Sequence, residues 1–380
     1  MSHFAFVEQA LVARELENLR RARTCIDSSD GRQITIGGKR YLNFASNDYL
    51  GIGSKTEIAN LNQNRIGASA SALVTGYTQE HCALESLLCK TLGYEAALLC
   101  NSGFSANVGV IKALFSDAKV STNSTVFQDK LNHASLLDGS LDSKAKLERF
   151  NHNDVNHLRN RLEKSKSENK LIVTEGIFSM DGDSAKLEEI AQLAAKHNAW
   201  LMVDDAHAFG VLGKHGLGSV ETVRPNILII TFGKAVGGQG ACILGSKSFI
   251  DYLLQFNREY IYSTAMSPIL ASLNLKQVER VLNASEQREK LKSNIEYFTR
   301  GARELALPLL DSKSPIQPIV LGDAEATLVA QKELRDQGIW LTAIRPPTVP
   351  FNTARLRITI TSEHTRKDID TLLMELKKIV

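Results

Sequence analysis

The sequence predicts an α/β fold: a large, doubly wound, mostly parallel sheet domain with a smaller α+β domain at the C-terminal end. Three observations predict it. Two apolar runs, Trp200-Leu201-Met202-Val203 and Ile227-Leu228-Ile229-Ile230, lack the alternation of a one-sided strand. They read as strands buried on both faces, as in a parallel sheet covered by helices. From about residue 94 to 245, strand and helix patterns alternate, which is the signature of a doubly wound domain. Past Ser267-Pro268 the pattern changes to a long helical stretch followed by short strands and helices.

The elements follow in order. Residues 4–23 carry apolar side chains at helical spacing and end in Arg20, Arg21 and Arg23. Arg40–Phe44 reads as a short strand, Ala45–Gly51 as a polar turn and 67–76 as a small-residue loop. A helix over His81–Leu92 stops at Gly93, a natural C-cap. Strand Ala96–Cys100 runs through Asn101-Ser102-Gly103-Phe104 into a helix over 105–115, an arrangement that offers backbone N–H groups to a phosphate. Leu171–Glu175 is another buried strand, and helix Leu187–His197 precedes the Trp200 strand. Residues 268–306 read as one long helix, kinked or straight. Then come strand Ile316–Leu321, helix Glu325–Gln337, strand Ile339–Leu341, a proline-bearing loop, strand Leu356–Ile360 and a helix over 365–378. The expected division is 1–45 as an N-terminal helix and strand segment, 46–265 as the large domain and 266–380 as the small one.

Bulk properties narrow the function classes. The 380 residues carry 45 basic and 42 acidic side chains, a net charge of +3, too small to imply nucleic acid or an anionic membrane as partner. Five cysteines (Cys25, Cys82, Cys89, Cys100, Cys242) are odd in number, irregularly spaced and free of CxxC, which suits a reducing cytosol with thiols as small core residues. Met1–Gln9 shows no basic segment followed by an apolar one, and no stretch approaches the ~18 apolar residues of a membrane span. A cytoplasmic protein without membrane contact is expected.

Ligands of such sheets sit beyond the carboxyl ends of the strands. There the sequence places Asp204, His207 and Lys234, an acid, an imidazole and an amine facing one crevice. A carboxylate can pair with a protonated pyridine nitrogen and a lysine can form a Schiff base, which together are a protein's share of pyridoxal 5'-phosphate (PLP) chemistry. Residue logic leaves alternatives open. Asp204 and His207 could bind a metal, although no HExxH or cysteine cluster accompanies them. Thr231-Phe232-Gly233-Lys234 matches a loose SxxK pattern without KTG. Lys234 could be a plain loop lysine. The arginines at 20–23 read either as a solvated helix end or as a clamp for a phosphate or coenzyme A.

Nearly the whole chain, from about Arg20 onward, resembles the α-oxoamine synthases, fold type I PLP-dependent transferases. The residues that carry the resemblance are 41–44 with 46–51, Leu131-Asn132-His133-Ala134-Ser135, 174–183, Val203-Asp204-Asp205-Ala206-His207, Thr231-Phe232-Gly233-Lys234, Ile261-Tyr262-Ser263-Thr264, and 342–350 with Arg355-Leu356-Arg357. The resemblance implies that Lys234 binds PLP as a Schiff base, that Asp204 keeps its ring nitrogen protonated, that His207 bonds its phenolic oxygen and that His133 stacks on its ring. It further implies phosphate contacts from the Gly103 and Phe104 backbone N–H groups, side-chain contacts to the cofactor from Thr231 and Ser179, and a contact from Thr264 to the phosphate of the neighbouring subunit, because family sites lie at a homodimer interface. Arg357, with Asn47 nearby, is implied as the grip on an amino-acid carboxylate. Thr348 and Arg20 are implied to face an acyl thioester, with Arg21 as the second choice. His133 counts among the substrate contacts as well.

The block Thr342-Ala343-Ile344-Arg345-Pro346-Pro347-Thr348-Val349-Pro350 points to the family member that serves biotin biosynthesis. The implied reaction is a decarboxylative condensation of L-alanine with pimeloyl-CoA or a pimeloyl-acyl carrier protein, with Lys234 as anchor and general base. Sister activities, such as glycine C-acetyltransferase, share the lysine and differ in acyl pocket and amino-acid preference. A non-catalytic PLP-binding scaffold subunit would be expected to lack the lysine. A dinucleotide oxidoreductase lacks support, since no GxGxxG follows an early strand. The chain departs from the family at the glycine-poor loop 67–76 with Leu73, at Ala208-Phe209, and at Ala235 directly after the lysine.

Overall fold

The computed structural model describes residues 4–55 and 65–380, so Met1–His3 of the N-terminal stretch lie outside the described residues. The chain forms two compact units: Met1–Tyr49 with Met180–Gly182 and Lys290–Val380, and Leu50–Ser179 with Asp183–Glu289. In chain order the first elements are α1 (Phe6–Leu16), β1 (Ser28–Ser29), β2 (Gln33–Ile36) and β3 (Lys39–Asn43). Next come α2 (Gln79–Leu92), β4 (Ala96–Cys100), α3 (Gly103–Leu114), α4 (Ala118–Thr122), β5 (Ser124–Asp129), α5 (Ala134–Asp142), β6 (Lys146–Phe150) and α6 (Val155–Lys164). They are followed by β7 (Asn169–Glu175), α7 (Leu187–Lys196), β8 (Trp200–Asp204), β9 (Ile227–Thr231), β10 (Ala241–Gly245), α8 (Lys247–Phe256), α9 (Arg258–Ile261) and α10 (Pro268–Leu282). The last are α11 (Ser285–Glu304), β11 (Ile316–Gly322), α12 (Ala324–Asp336), β12 (Ile339–Trp340), β13 (Thr342–Ile344), β14 (Ala354–Thr359) and α13 (Arg366–Ile379).

The larger unit is built on a seven-stranded sheet in the order β4-β10-β9-β8-β7-β5-β6. Strands β9, β8, β7, β5 and β6 are parallel neighbours, and β10 runs antiparallel to both β4 and β9. The mostly parallel sheet expected from the apolar runs is therefore present. Leu98, Val126, Val173, Met202, Ile229 and Ile243 form one core with Val110 and Ile111 of α3 and Phe249 and Leu253 of α8. Each such side chain, fully buried, contributes about 1.5–3 kcal/mol. Gly93 ends α2 in the left-handed conformation, φ +73°, as its sequence position predicts. Ser102 caps α3 by accepting the Ser105 N–H.

The smaller unit carries two sheets, β1-β2-β3-β12 and β11-β14-β13. Asn43 O meets His364 Nε2 at 3.1 Å, and the Phe44 ring stacks on the His364 ring at 4.2 Å. Phe44 N–H donates to Trp340 O (2.7 Å), Thr359 N–H to Phe44 O (2.8 Å) and Ser362 N–H to Tyr49 O (2.9 Å). Residues 44–49 are thus laid along the end of β14. Arg32 grips the Asp368 carboxylate through Nε at 2.7 Å and Nη2 at 2.8 Å, and the same carboxylate takes the Thr365 N–H and hydroxyl in a capping box.

Two sequence expectations are corrected. The stretch 268–306 is two helices, not one. α10 ends at Leu282, Asn283 N–H turns back to the carbonyls of Glu279 and Arg280, and Arg288 Nη1 caps the Val281 carbonyl at 2.6 Å. The N-terminal helix stops at Leu16, where Asn18 takes φ +57°, so Arg20, Arg21 and Arg23 follow it in non-helical chain and are not its C-terminal charges. The thiols also divide: Cys100 and Cys242 are buried, Cys89 is half-buried, and Cys25 and Cys82 are exposed. Burial pushes Cys100 up to about 12, which removes it as a nucleophile.

The Asp368 clamp gives a testable stability term. Burial opposes ionisation, but Arg32 and Thr365 override it and hold Asp368 down to about 2. Its contribution is present above the unfolded value of about 4 and is lost as pH falls toward 2. Asp368→Asn should lower stability by about 1–3 kcal/mol at pH 7. In urea melts that difference should shrink steadily between pH 5 and pH 3.

Candidate active site

The strand ends of the larger unit converge on one buried carboxylate. Asp204 closes β8. Its Oδ1 accepts the Ala206 N–H at 2.9 Å and its Oδ2 accepts Asn107 Nδ2 at 2.6 Å. Its backbone carbonyl takes the Gly176 N–H at 2.9 Å, and Asp205 N–H reaches Ile229 O at 2.8 Å, so the ends of β7, β8 and β9 are tied together. Asn107 Nδ2 also donates to Ser135 Oγ at 2.9 Å, and Ser135 Oγ lies 2.8 Å from His133 Nδ1. The Ser135 N–H donates to the same Nδ1 at 3.3 Å, which assigns the proton of neutral His133 to Nε2. The donors therefore run outward from Asn107, one way to the Asp204 carboxylate and the other through Ser135 to the His133 ring.

His133 is exposed, at the N-cap of α5, with the Phe104 ring edge-on at 6.5 Å. The surrounding protein lowers its pKa against the pull of Asp204, and the Lys234 charge lowers it further, so the ring is neutral at pH 7. Beneath it lies Glu175, fully buried at the end of β7. Its Oε1 accepts the His133 N–H at 2.6 Å, and the Ser179 N–H adds a second bond. Burial, then the Asp204 charge, raises Glu175 well above the ordinary carboxylate range. Next in sequence to Asp204, Asp205 takes the Ser219 N–H at 2.7 Å and the Ser219 hydroxyl. Burial pushes Asp205 up to about 7 against those bonds.

Opposite stands the N-terminus of α3. Its first amides, at Gly103 and Phe104, lie in the turn where the sequence places them. Thr231 ends β9, and its Oγ1 is buried without a hydrogen-bond partner. A Cβ on Gly103 would stand 2.6 Å from Thr231 Cγ2, so only glycine lets the two backbones approach. Lys234 follows in a tight turn closed by Gly237 N–H to Lys234 O (2.8 Å) and Gly238 N–H to Phe232 O (2.7 Å). Gly237 there has φ +70°, and a Cβ on it would meet Gly53 N at 2.3 Å. Lys234 is half-buried; His207, in the turn after β8, and Ser179 are buried. Thr264 is exposed, and its carbonyl accepts Asn101 Nδ2 at 2.7 Å.

The smaller unit holds the remaining sequence candidates. Arg357 is buried on β14, and its Nη1 donates to Asn47 Oδ1 at 3.3 Å and to Thr359 Oγ1 at 3.2 Å. Tyr49 OH donates to the same Asn47 oxygen at 3.2 Å. Burial pushes Tyr49 up to about 12, with Arg357 opposing, so it remains a donor. Elsewhere in this unit, a cavity of about 540 Å³ is lined by Arg20, Arg21, Arg335, Arg345, Thr342 and Thr348. Arg20 pairs with Glu15 at 2.9 Å, whereas Arg21 Nη2 reaches Thr348 Oγ1 at 3.3 Å. Of the two arginines weighed in the sequence, Arg21 is the one bonded to Thr348. Among the described residues, no cluster is suited to a metal and no helix is long and apolar enough to cross a membrane.

Sequence reasoning missed Asn107 and gave Glu175 no role. Asn107 had left a signal, a lone amide in the otherwise small and apolar run Ala106–Val110, about one turn beyond Gly103.

The chain matches the class I and II aminotransferase family model over residues 39–376. An 8-amino-7-oxononanoate synthase of Saccharophagus degradans is 43% identical over 392 aligned residues, covering 100% of this chain and 98% of the relative. Among solved structures, a serine palmitoyltransferase from S. paucimobilis with a bound PLP–myriocin aldimine aligns with a TM-score of 0.90 at 26% identity, covering 99% of this chain and 97% of that one. An 8-amino-7-oxononanoate synthase from Francisella tularensis aligns with a TM-score of 0.74 at 30% identity, covering 89% and 97%. The chain belongs to the class I and II aminotransferase family and, within it, to the group of the 8-amino-7-oxononanoate synthases. Its fold is type I of the PLP-dependent enzymes.

The contact between Gly103 and Thr231 yields a prediction. Gly103→Ala should fold but force apart the α3 N-terminus and the β9 end, weakening binding of a phosphate-bearing ligand by about tenfold or more. Titration of PLP into the purified variant measures it.

Proposed function

We propose that this enzyme condenses L-alanine with a pimeloyl thioester on pyridoxal 5'-phosphate, releasing carbon dioxide and the thiol carrier and giving 8-amino-7-oxononanoate for biotin biosynthesis. The observation that carries the reading is the Asp204–Asn107–Ser135–His133 network, which runs from a buried carboxylate at the strand ends to an exposed imidazole, with Lys234 following β9. The residues fit the cofactor. Thr231 presents an unpartnered buried hydroxyl, the α3 amides offer an anion site, and Asp204 supplies an acceptor in a desolvated pocket.

When bound, the cofactor supplies an electron sink for the pair left on the alanine α-carbon. Asp204 would hold the proton on the ring nitrogen, kept in place by Asn107 and the Ala206 N–H. Neutral His133 would cover the ring, and His207 would donate to the phenolic oxygen. The Gly103 and Phe104 amides would hold the phosphate, and the Thr231 and Ser179 side chains would add contacts to the cofactor. Lys234 Nζ would anchor the cofactor, take the α-proton once displaced and return it to the product. Arg357, oriented by Asn47, would bind the alanine carboxylate. Thr348, with Arg20 and Arg21, would meet the acyl thioester. Their arginine-rich cavity suits the phosphates of either coenzyme A or an acyl carrier protein. A cytoplasmic homodimer, with Thr264 reaching the partner subunit's cofactor, completes the proposal.

The test is product formation. Purified protein given PLP, L-alanine and pimeloyl-CoA should release one thiol and one carbon dioxide per 8-amino-7-oxononanoate. Turnover with glycine or serine in place of alanine would move the chain to a sister activity, and no cofactor uptake would contradict the reading. Lys234→Ala should still bind PLP, now removable by dialysis, and lose turnover by several orders of magnitude. Near-normal turnover in that variant would remove Lys234 from the mechanism.

A further inference from the structure

We infer that His152 is a positioning residue whose imidazolium, clamped between Asp129 and Asp183, holds the loop bearing Ser179 in its cofactor-binding form. The inference rests on the reading above, because it takes Ser179 as a cofactor contact. His152 lies two residues beyond β6, Asp129 ends β5, and Asp183 stands on the return of the loop that follows β7. His152 Nδ1 is 2.9 Å from Asp129 Oδ1, and Nε2 is 2.9 Å from Asp183 Oδ2. A neutral imidazole has one N–H, and an ionised carboxylate only accepts. Two carboxylates at hydrogen-bond distance from the two ring nitrogens therefore call for a doubly protonated, cationic ring. Burial opposes that charge, but the two aspartates override it and lift His152 to about 10.

The clamp reaches Ser179 through short links. The His152 ring stands edge-on to Phe178, the residue before Ser179, at 4.5 Å and 88°. Phe178 N–H donates to Asp183 O at 2.9 Å, and Ile177 bridges Ser184, so the two arms of the loop are joined next to the clamp. Asn153 reinforces it. Its N–H donates to Asp129 Oδ2 at 2.8 Å, and its Nδ2 donates to the Asp183 carboxylate and to Ser184 O, the latter at 3.1 Å. Ser179 in turn donates its N–H to Glu175, which also accepts the His133 N–H. Asp129 steadies the His133 side as well, accepting the Leu131 N–H at 2.8 Å. One cation thus fixes the approach of both loops. Without it, two carboxylates would face each other with only the Asn153 amides between them.

His152→Gln keeps the approximate size but carries no charge and presents an acceptor oxygen where the ring presents its second N–H. It should weaken PLP binding by about tenfold or more, the loss expected when a charged hydrogen-bonded partner is removed. Amide hydrogen exchange at 177–179 and 183–184 should quicken in the cofactor-free variant. In the double variant His152→Gln/Ser179→Ala the two losses should combine to less than their sum, since the clamp acts in part through that residue. Should His152→Gln not fold, Asp183→Asn, which loosens one arm only, should give the same pattern. Wild-type PLP affinity in a folded His152→Gln, or losses that add in the double variant, would overturn the inference. If the wild-type chain takes up no PLP, the functional reading fails. The exchange arm then decides the clamp alone: quickened exchange supports it and unchanged exchange overturns it.

Discussion

A carboxylate buried at the end of a parallel sheet has to be met by donors, and much of the larger unit is arranged to meet Asp204. An unpaired buried charge would cost several kcal/mol, enough to consume much of a domain's net stability. The Ala206 N–H and Asn107 answer it, and each fixes something further. The Ala206 N–H sets the turn that leads to His207. Asn107 commits α3 to one rotation about its axis, which puts Gly103 beside Thr231 and sends a second bond to Ser135 and on to His133. The placement of the α3 N-terminus and of the His133 imidazole thus follows from one desolvated charge.

Beside it a second carboxylate, Glu175, is treated in the opposite way. Burial and the neighbouring Asp204 charge raise its pKa, while its hydrogen bonds from His133 and Ser179 tie two loops to the end of β7. Two acids a strand apart serve different ends through environment alone: one accepts from a side-chain amide and awaits a cation, the other staples backbone. The smaller unit shows similar economy. The Asn47 side-chain oxygen accepts from both Arg357 and Tyr49, so one amide orients a guanidinium and a phenol together.

How much of this the sequence disclosed depends on range. Strands β7, β8 and β9 were legible because a short, continuous apolar run between turn residues fits little besides a strand covered on both faces. The positions of Asp204, at the end of β8, and of His207 and Lys234, in the turns beyond β8 and β9, were legible with them. The Gly93 cap was legible because the left-handed conformation that ends a helix favours glycine whatever packs around it. Strand β5 went unread because it is fully buried yet reads Ser-Thr-Val-Phe-Gln-Asp, with Thr125 bonded to Ser167 and Gln128 to Ser140 elsewhere in the chain. The break between α10 and α11 was hidden because helical patterning continues through Asn283-Ala284, and its cap comes from Arg288. Asn107 and His152 escaped for the same reason: their partners, Asp204 and Asp183, lie 97 and 31 residues away in the chain. The arginines near the N-terminus were misplaced at a helix end because the helix stops short, at Leu16.

The central claim is that Asp204, held by Asn107, keeps the bound cofactor's ring nitrogen protonated. The most direct measurement is the nitrogen-15 chemical shift of ring-labelled PLP bound to the wild-type chain and to Asp204→Asn. The account predicts a protonated pyridinium in the wild type and an unprotonated ring nitrogen, with turnover largely lost, in the variant. An identical shift in both proteins, or wild-type turnover with an unprotonated ring, would contradict it.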